Sequence, residues 1–198
     1  MKLKSLASIQ AGYQFRRRIE PSEDGNASVI QVNDLKENHD LKSRRLARVK
    51  LAKGTESYRV QDGDVLFLSR GHKLFATAIA NPPPDAIVPN YFYIIRPKTE
   101  YVLPEYLAWY INQPKTQSHL APVRAGTYMP IVAKSDFSEL EIEVPPIPVQ
   151  RIIVALAELA RRELSLLHNL QESRQQLIEQ LCMQAAMRPT MKGKNNGQ

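Results

Sequence analysis

Leu140-Glu141-Ile142-Glu143-Val144-Pro145-Pro146-Ile147-Pro148 leads into a stretch, Val149 to Met187, that contains neither glycine nor proline. The first five residues alternate apolar and acidic in the two-residue period of a strand. Prolines donate no backbone hydrogen bond and fix φ, so strand pairing ends at Pro145, whereas Pro148 suits the first turn of a helix. At about 1.5 Å per residue the helix that follows spans roughly 55–60 Å, more than a compact domain of this size requires. The fold class is therefore read as α+β: a sheet-rich body with short helices over residues 1–147, then one long C-terminal coiled-coil helix over 148–187, then a disordered basic tail over 188–198.

Downstream of the junction, Val149, Ile153, Leu156, Ala160, Leu167, Leu170, Leu177 and Leu181 follow a 4-3 spacing, interrupted by Glu163 and Arg174. This is a coiled-coil seam with polar exceptions of the kind that set register and partner number. The chain has no second long helix to cover the stripe, so the expected cover is another chain. Beyond Met187, Pro189 and Lys192-Gly193-Lys194-Asn195-Asn196-Gly197-Gln198 lack apolar residues able to pack.

Upstream, Val29 to Val32, Val65 to Leu68, Phe75 to Ala80 and Tyr91 to Ile95 read as strands bounded by turn residues, Asp62-Gly63-Asp64 among them. The period then changes. Leu103, Leu107, Tyr110 and Ile111 share one helical face, with Pro104 in the first turn and Pro114 past the end, which predicts a helix over 104–112. A second helical turn is expected within 115–121, and extended chain from Gly126 to Val132. Trp109 and Tyr110 are expected in the core.

The 198 residues carry a net charge of +7, and its distribution matters more than its size. Residues 1–147 hold 20 basic and 16 acidic side chains, residues 148–187 four of each, and 188–198 three basic ones. The helix is thus neutral. Within the body, Lys36, Lys42, Arg44, Arg45, Arg48, Lys50 and Lys53 face only Glu37 and Asp40 between positions 36 and 53, and Arg16-Arg17-Arg18 forms a second cluster. Such groups neutralise phosphates, or simply form a solvated face. Cys182 is the sole cysteine, which excludes an intrachain disulfide, fits a reducing cytoplasm and is read as a packed thiol. No apolar run is long enough to span a membrane, so a cytoplasmic location is expected.

Catalytic signatures are missing from the sequence. Asn81-Pro82-Pro83-Pro84 falls short of the Asn-Pro-Pro-aromatic loop of amino-methyltransferases at its fourth position, and no glycine-rich cofactor loop follows a first strand. His39, His72, His119 and His168 have no neighbours at metal-ligand spacing. Asp62 and Asp64 resemble a nuclease pair, but no lysine follows in the required place and a turn explains both. No metal, no cofactor and no catalytic residue is assigned.

The order of segments is nevertheless distinctive: Gly63-Asp64-Val65-Leu66-Phe67, Arg96-Pro97, Pro104-Glu105-Tyr106-Leu107, Gly126-Thr127-Tyr128-Met129-Pro130-Ile131, Leu140 to Pro146, then Gln150-Arg151 opening the long helix. This series, from about residue 1 to 182, resembles the specificity (S) subunit of type I restriction-modification systems. The resemblance implies a target recognition domain over 1–147 that binds double-stranded DNA, and a helix over 148–187 for dimerisation and subunit docking. A standard subunit carries two such domains and two helices; one of each is seen here, so a homodimer through antiparallel helices on a bipartite target is expected. The implied partners are modification (methyltransferase) subunits and a restriction (motor-nuclease) subunit. S-adenosylmethionine, magnesium and ATP would belong to those partners, leaving this chain non-catalytic. Base readout falls to Arg70, His72 and Lys73 after the Val65 strand and to Arg124, Thr127 and Tyr128 around Gly126. Phosphate contacts fall to Arg16, Arg17, Arg18, Arg44 and Arg45. The competing reading is an oligomerising scaffold or decoy of the same fold that binds protein instead of DNA.

Overall fold

The computed structural model describes residues 1–16, 18–35, 46–52, 54–120, 124–125 (backbone) and 130–187. Arg17, Arg44, Arg45, Thr127, Tyr128 and the tail from 188 lie outside the described residues. The chain divides into two units, Met1–Val154 and Ala155–Gln198.

Val65-Leu66-Phe67-Leu68 forms β4, and every one of its side chains is buried. A strand with no polar position needs cover on both faces. Its neighbours in the main sheet are β7 (Phe92–Pro97) and β5 (Ala76–Ala78), with β1 (Ala7–Ala11) on the far side of β7, all antiparallel in the order β1-β7-β4-β5. Alternation along the strands separates two cores. Val65 and Phe67, with Tyr93 and Ile95, enter a cluster containing Leu3, Leu107, Ile111, Phe137 and Ile142. Leu66 and Leu68, with Phe92 and Ile94, enter a second cluster containing Ile30, Val60, Phe75 and Val88. A smaller sheet, β3 (Ala47–Val49), β2 (Ala27–Val29) and β6 (Ala86–Ile87), pairs β2 with β3 antiparallel and with β6 parallel.

The expected helix is α2, Pro104–Ile111, preceded by α1, Leu3–Leu6, and followed at once by α3, Pro114–Leu120. Tyr106, Leu107 and Ile111 are buried, and Trp109 and Tyr110 are half-buried against the same core. Just past α2, the Asn112 side chain imitates a strand. Its Oδ1 accepts from the Ala76 N–H at 2.8 Å and its Nδ2 donates to the Ala76 carbonyl at 2.7 Å, which closes the free edge of β5. The hairpin β8 (Arg124–Ala125) and β9 (Ile131–Val132) leads into α4, Lys134–Ser138, whose Phe137 ring stacks on Phe67 at 4.1 Å. Neither β1 nor α4 is anticipated from the sequence.

The strand expected at 140–144 is a correction. Leu140 and Ile142 are buried while Glu141 and Glu143 are exposed, as the alternation requires, yet only one bridge forms, between Lys2 and Glu141. The neighbouring segment enters α1 at Leu3, so a ladder has nothing to continue along. Glu139 accepts from Lys2 at 2.7 Å and from Lys4, bonds that lower its carboxyl to about 2.

After this segment α5 runs unbroken from Ile147 to Met187. Gln150, in its first turn, is fully buried. Its Oε1 accepts from the Leu103 N–H at 2.9 Å, and its Nε2 donates to the carbonyls of Tyr101 and Pro145, each at 2.8 Å. Ile153 and Val154 complete this contact by packing half-buried on the first core. In the second unit Leu156, Leu167, Leu170, Leu177 and Leu181 are 54–64% exposed, and Ala160 is exposed too. Cys182 is exposed, not packed, because nothing in the same helix can reach over it.

Gln150→Leu would strand the Leu103 N–H and two carbonyls; urea unfolding is expected to register a loss of about 2–4 kcal/mol. Alkali gives a second measurement. Burial, with the nearby Tyr110 and Glu143, pushes the Tyr106 hydroxyl up to about 12, and that hydroxyl donates to the Glu143 carbonyl at 2.7 Å. The folded chain keeps this proton where an unfolded tyrosine, titrating at about 10, has lost it. The stabilisation is intact below about pH 10 and is lost as pH rises towards 12, so the urea midpoint should fall across that window, less steeply in Tyr106→Phe.

Candidate nucleic-acid interface

Beyond Leu68 the chain leaves the main sheet but not its hydrogen bonds. The Ser69 N–H and Oγ both donate to the Tyr91 carbonyl, at 2.8 and 2.9 Å. The Val132 N–H donates to the Ser69 carbonyl and the Gly71 N–H to the Pro130 carbonyl, both at 2.9 Å, with Arg70 bridged to Ile131. Ile131 is also the partner of Ala125 in β8. The two segments singled out for base readout, after β4 and around Gly126, are therefore tied to opposite sides of one short strand.

Gly71 has φ of +103°, a conformation that side chains with a Cβ resist, and no atom lies within 4 Å of where a Cβ would stand. The requirement is for the dihedral, not for space. The tight turn leaves His72 and Lys73 exposed at its tip. Arg70 behaves differently from these neighbours: it is half-buried, and its Nε is enclosed without a hydrogen-bond partner.

Arg70 lines a cleft of about 540 Å³ together with Gln10, Ser57, Asn90, Tyr93 and Lys134. One wall is set by Gly12, where a Cβ would stand 2.3 Å from the Pro89 carbonyl oxygen and 2.5 Å from that of Val88. That approach lets the Gly12 N–H reach the Phe92 carbonyl at 2.9 Å and the Tyr13 N–H reach that of Val88 at 2.7 Å. The Gln10 amide donates across the cleft margin to the Ser57 carbonyl at 2.9 Å. Tyr93 donates its hydroxyl to the Val132 carbonyl at 2.8 Å; burial raises its pKa, against the opposing influence of Ser69 and the Arg70 charge.

The remaining sequence candidates are scattered. Arg124 lies in β8, opposite Val132. Arg16 and Arg18 are exposed in the loop beyond Tyr13. Arg48, from the basic run, is engaged within the fold: its Nε and Nη2 donate to the Gly25 carbonyl at 3.2 and 2.8 Å, and Nη2 lies 3.1 Å from Asp85. Gln10, Ser57, Asn90 and Lys134 escape sequence reading because four separate segments deliver them and none sits in a local pattern.

The aspartates are structural. Asp64, 1% exposed, takes both Nε and Nη2 of Arg96, at 2.8 and 2.9 Å, and caps the Gln61 N–H at 2.7 Å. This bidentate pairing raises the Arg96 pKa. Asp62 accepts from the Asn81 N–H at 2.7 Å, and Asn81 adopts φ of +50°. The Asn-Pro-Pro-Pro segment thus begins as a left-handed turn, which asparagine tolerates. Among the described residues no group of three or more His, Cys, Asp or Glu is placed to hold a metal ion, and no helix is long and apolar enough to cross a membrane.

The chain has recognisable relatives. A family model described as the type I restriction modification DNA specificity domain matches residues 1–172. The chain belongs to that family. Solved structures agree on the fold. The HsdS subunit from Thermoanaerobacter tengcongensis has a TM-score of 0.63 at 20% identity, over 96% of this chain and 45% of that one. The type I restriction-modification S subunit from M. genitalium has 0.56 at 13% identity, over 91% and 43%. A chain from a structure concerned with complex assembly and conformational transition of the type I R-M system has 0.65 at 18% identity, over 91% and 42%. The chain thus spans under half the length of these solved relatives. No curated protein matches it.

Gly12→Ala should lower the melting temperature, with a cost of about 1–3 kcal/mol, because backbone carbonyls must move to admit the Cβ.

Proposed function

We propose that this chain is a DNA-sequence specificity component of a type I restriction-modification system. It binds one half of a bipartite duplex target and directs methyltransferase and restriction subunits there. The observation that carries this reading is the specificity-domain match across residues 1–172. The joining of the β4 loop to the β8–β9 hairpin supports it, since two segments held side by side can meet one groove of the duplex. His72 and Lys73 at the loop tip take base edges, and the same role is assigned to Arg124, Thr127 and Tyr128. Arg16, Arg17, Arg18, Arg44 and Arg45 take flanking phosphates and fix the register.

The long helix supplies assembly. Its exposed apolar residues extend beyond the 4-3 seam to Ile152, Leu159 and Leu166 on one flank and Leu164 and Ile178 on the other. A face this broad exceeds the two-column seam of a simple helix pair and accommodates more than one partner helix. The reading assigned to it is an antiparallel pairing with the helix of a second copy, with modification subunits on the flanks. The chain supplies no chemistry of its own, and S-adenosylmethionine, magnesium and ATP act in the partner subunits.

Selection of duplexes from a random pool, with and without modification subunits of such a system, should enrich one bipartite sequence. Its affinity should fall by about 10³–10⁵ between 50 and 200 mM salt if six to ten phosphates are contacted. Failure to enrich any sequence under either condition would overturn the reading. Charge reversal at Arg44, Arg45 and Lys73 should abolish binding to the enriched duplex; retention of a protein complex with no DNA binding at all would favour the scaffold alternative. Light scattering should return a dimer mass for the purified chain and a monomer for Leu156→Glu/Leu170→Glu.

A further inference from the structure

We propose that the cleft beside Arg70 is a phosphodiester site, in which Arg70 and Lys134 hold one backbone phosphate of the bound duplex. The inference rests on the DNA-binding reading and deepens it. It separates Arg70 from His72 and Lys73, its neighbours on the same loop, and leaves that loop's share of base readout to those two.

The first reason is the unpartnered donor. Arginine stays charged at any physiological pH, and a buried donor on a charged group without an acceptor is costly and uncommon. Two partly exposed guanidiniums of the body nevertheless have acceptors: Arg96 has the Asp64 carboxylate, and Arg48 has the Gly25 carbonyl and Asp85. Arg70 Nε has none. The side chain that carries this unpartnered donor lines the cleft, so a small shift of the guanidinium towards an arriving acceptor would gain the missing bond.

The second reason is the charge of the lining. Among the described residues Arg70 and Lys134 are the only charged side chains that line the cleft, neither forms an ion pair, and Asp136 acts on Tyr93 from outside the lining. With two cations, neutral amides and hydroxyls, and no carboxylate, the lining favours an anion. Its volume of about 540 Å³ admits a phosphate with the sugars on either side of it.

The third reason is geometry. Hydrogen bonds on both sides of Arg70 fix its backbone against β9, so the donor is held in place before any ligand binds. A residue reading base edges must project into a groove, as the exposed His72 and Lys73 do. A donor enclosed in a cleft wall meets instead the part of the duplex that lies on its outside, the phosphate backbone.

A double-mutant cycle tests this with the full chain and the enriched duplex. Single phosphates are replaced in turn by neutral methylphosphonates, and anisotropy is measured with wild type, Arg70→Ala and Lys134→Ala. At one phosphate per half-site the replacement should weaken wild-type binding about tenfold and weaken the Arg70→Ala variant no further. Each alanine variant should lose affinity equally for enriched and scrambled duplexes and lower the slope of log K against log salt by about 0.9. Relaxed preference at one base pair with an unchanged slope would make Arg70 a base reader and overturn the proposal, as would wild-type binding indifferent to both substitutions. Should Arg70→Ala fail to fold, the exposed Lys134→Ala carries the same cycle. A wild-type chain that binds neither duplex would overturn the DNA-binding reading itself, and this inference with it.

Discussion

A single buried amide fastens the long helix to the body that precedes it. Gln150 satisfies one N–H and two carbonyls from three separate places: the turn before α2, the start of α2 and the proline stop before α5. Prolines at 145 and 146 leave no backbone donors there to do this work, so a side chain must. Because the amide both donates and accepts, neither an apolar nor a charged residue of the same size could replace it. The first two turns of α5 consequently lay Gln150, Ile153 and Val154 against the body, while Val149 and Ile152 on the same turns are already exposed.

The main sheet follows a similar logic of complete cover. β4 has no face that tolerates water, so each neighbouring element exists to shield one side of it. Where shielding requires a charge, it is neutralised on the spot, as the Asp64–Arg96 pair shows. Asp64 is the enclosed partner and Arg96 reaches solvent, so it is loss of the arginine that would leave a buried charge uncompensated. The acidic turn that superficially suggests metal chemistry is explained by this pairing and by the Asn81 turn.

Long apolar runs and proline punctuation made β4, β7 and the start of α2 legible, because two-sided burial and helix entry leave strong local marks. The alternation at 140–144 correctly marked which side chains are buried but overstated pairing, which depends on what the neighbouring segment does. β1 was illegible because Ala7-Ser8-Ile9-Gln10-Ala11 is small and weakly patterned, its position being set by β7 instead of by its own composition. The cleft was invisible for a deeper reason. Gln10, Ser57, Asn90 and Lys134 converge only through the tertiary path of the chain, and single polar residues in loops carry no periodic signal. Arg70 was noticed for its charge; that its Nε is enclosed could be learned only from the packing around it.

Gly71 also bears on how recognition diversifies. Its positive φ fixes the direction in which the chain turns, and no atom stands within 4 Å of where its own Cβ would be. By contrast, the Gly12 wall and the bonds around β9 tolerate almost no change. Positions 72 and 73 are exposed at the tip of that turn, so exchanges there fall on the surface and not in the packed core. Under the proposed DNA reading, a lineage built this way would acquire new addresses by editing a loop tip, with the surrounding architecture inherited intact.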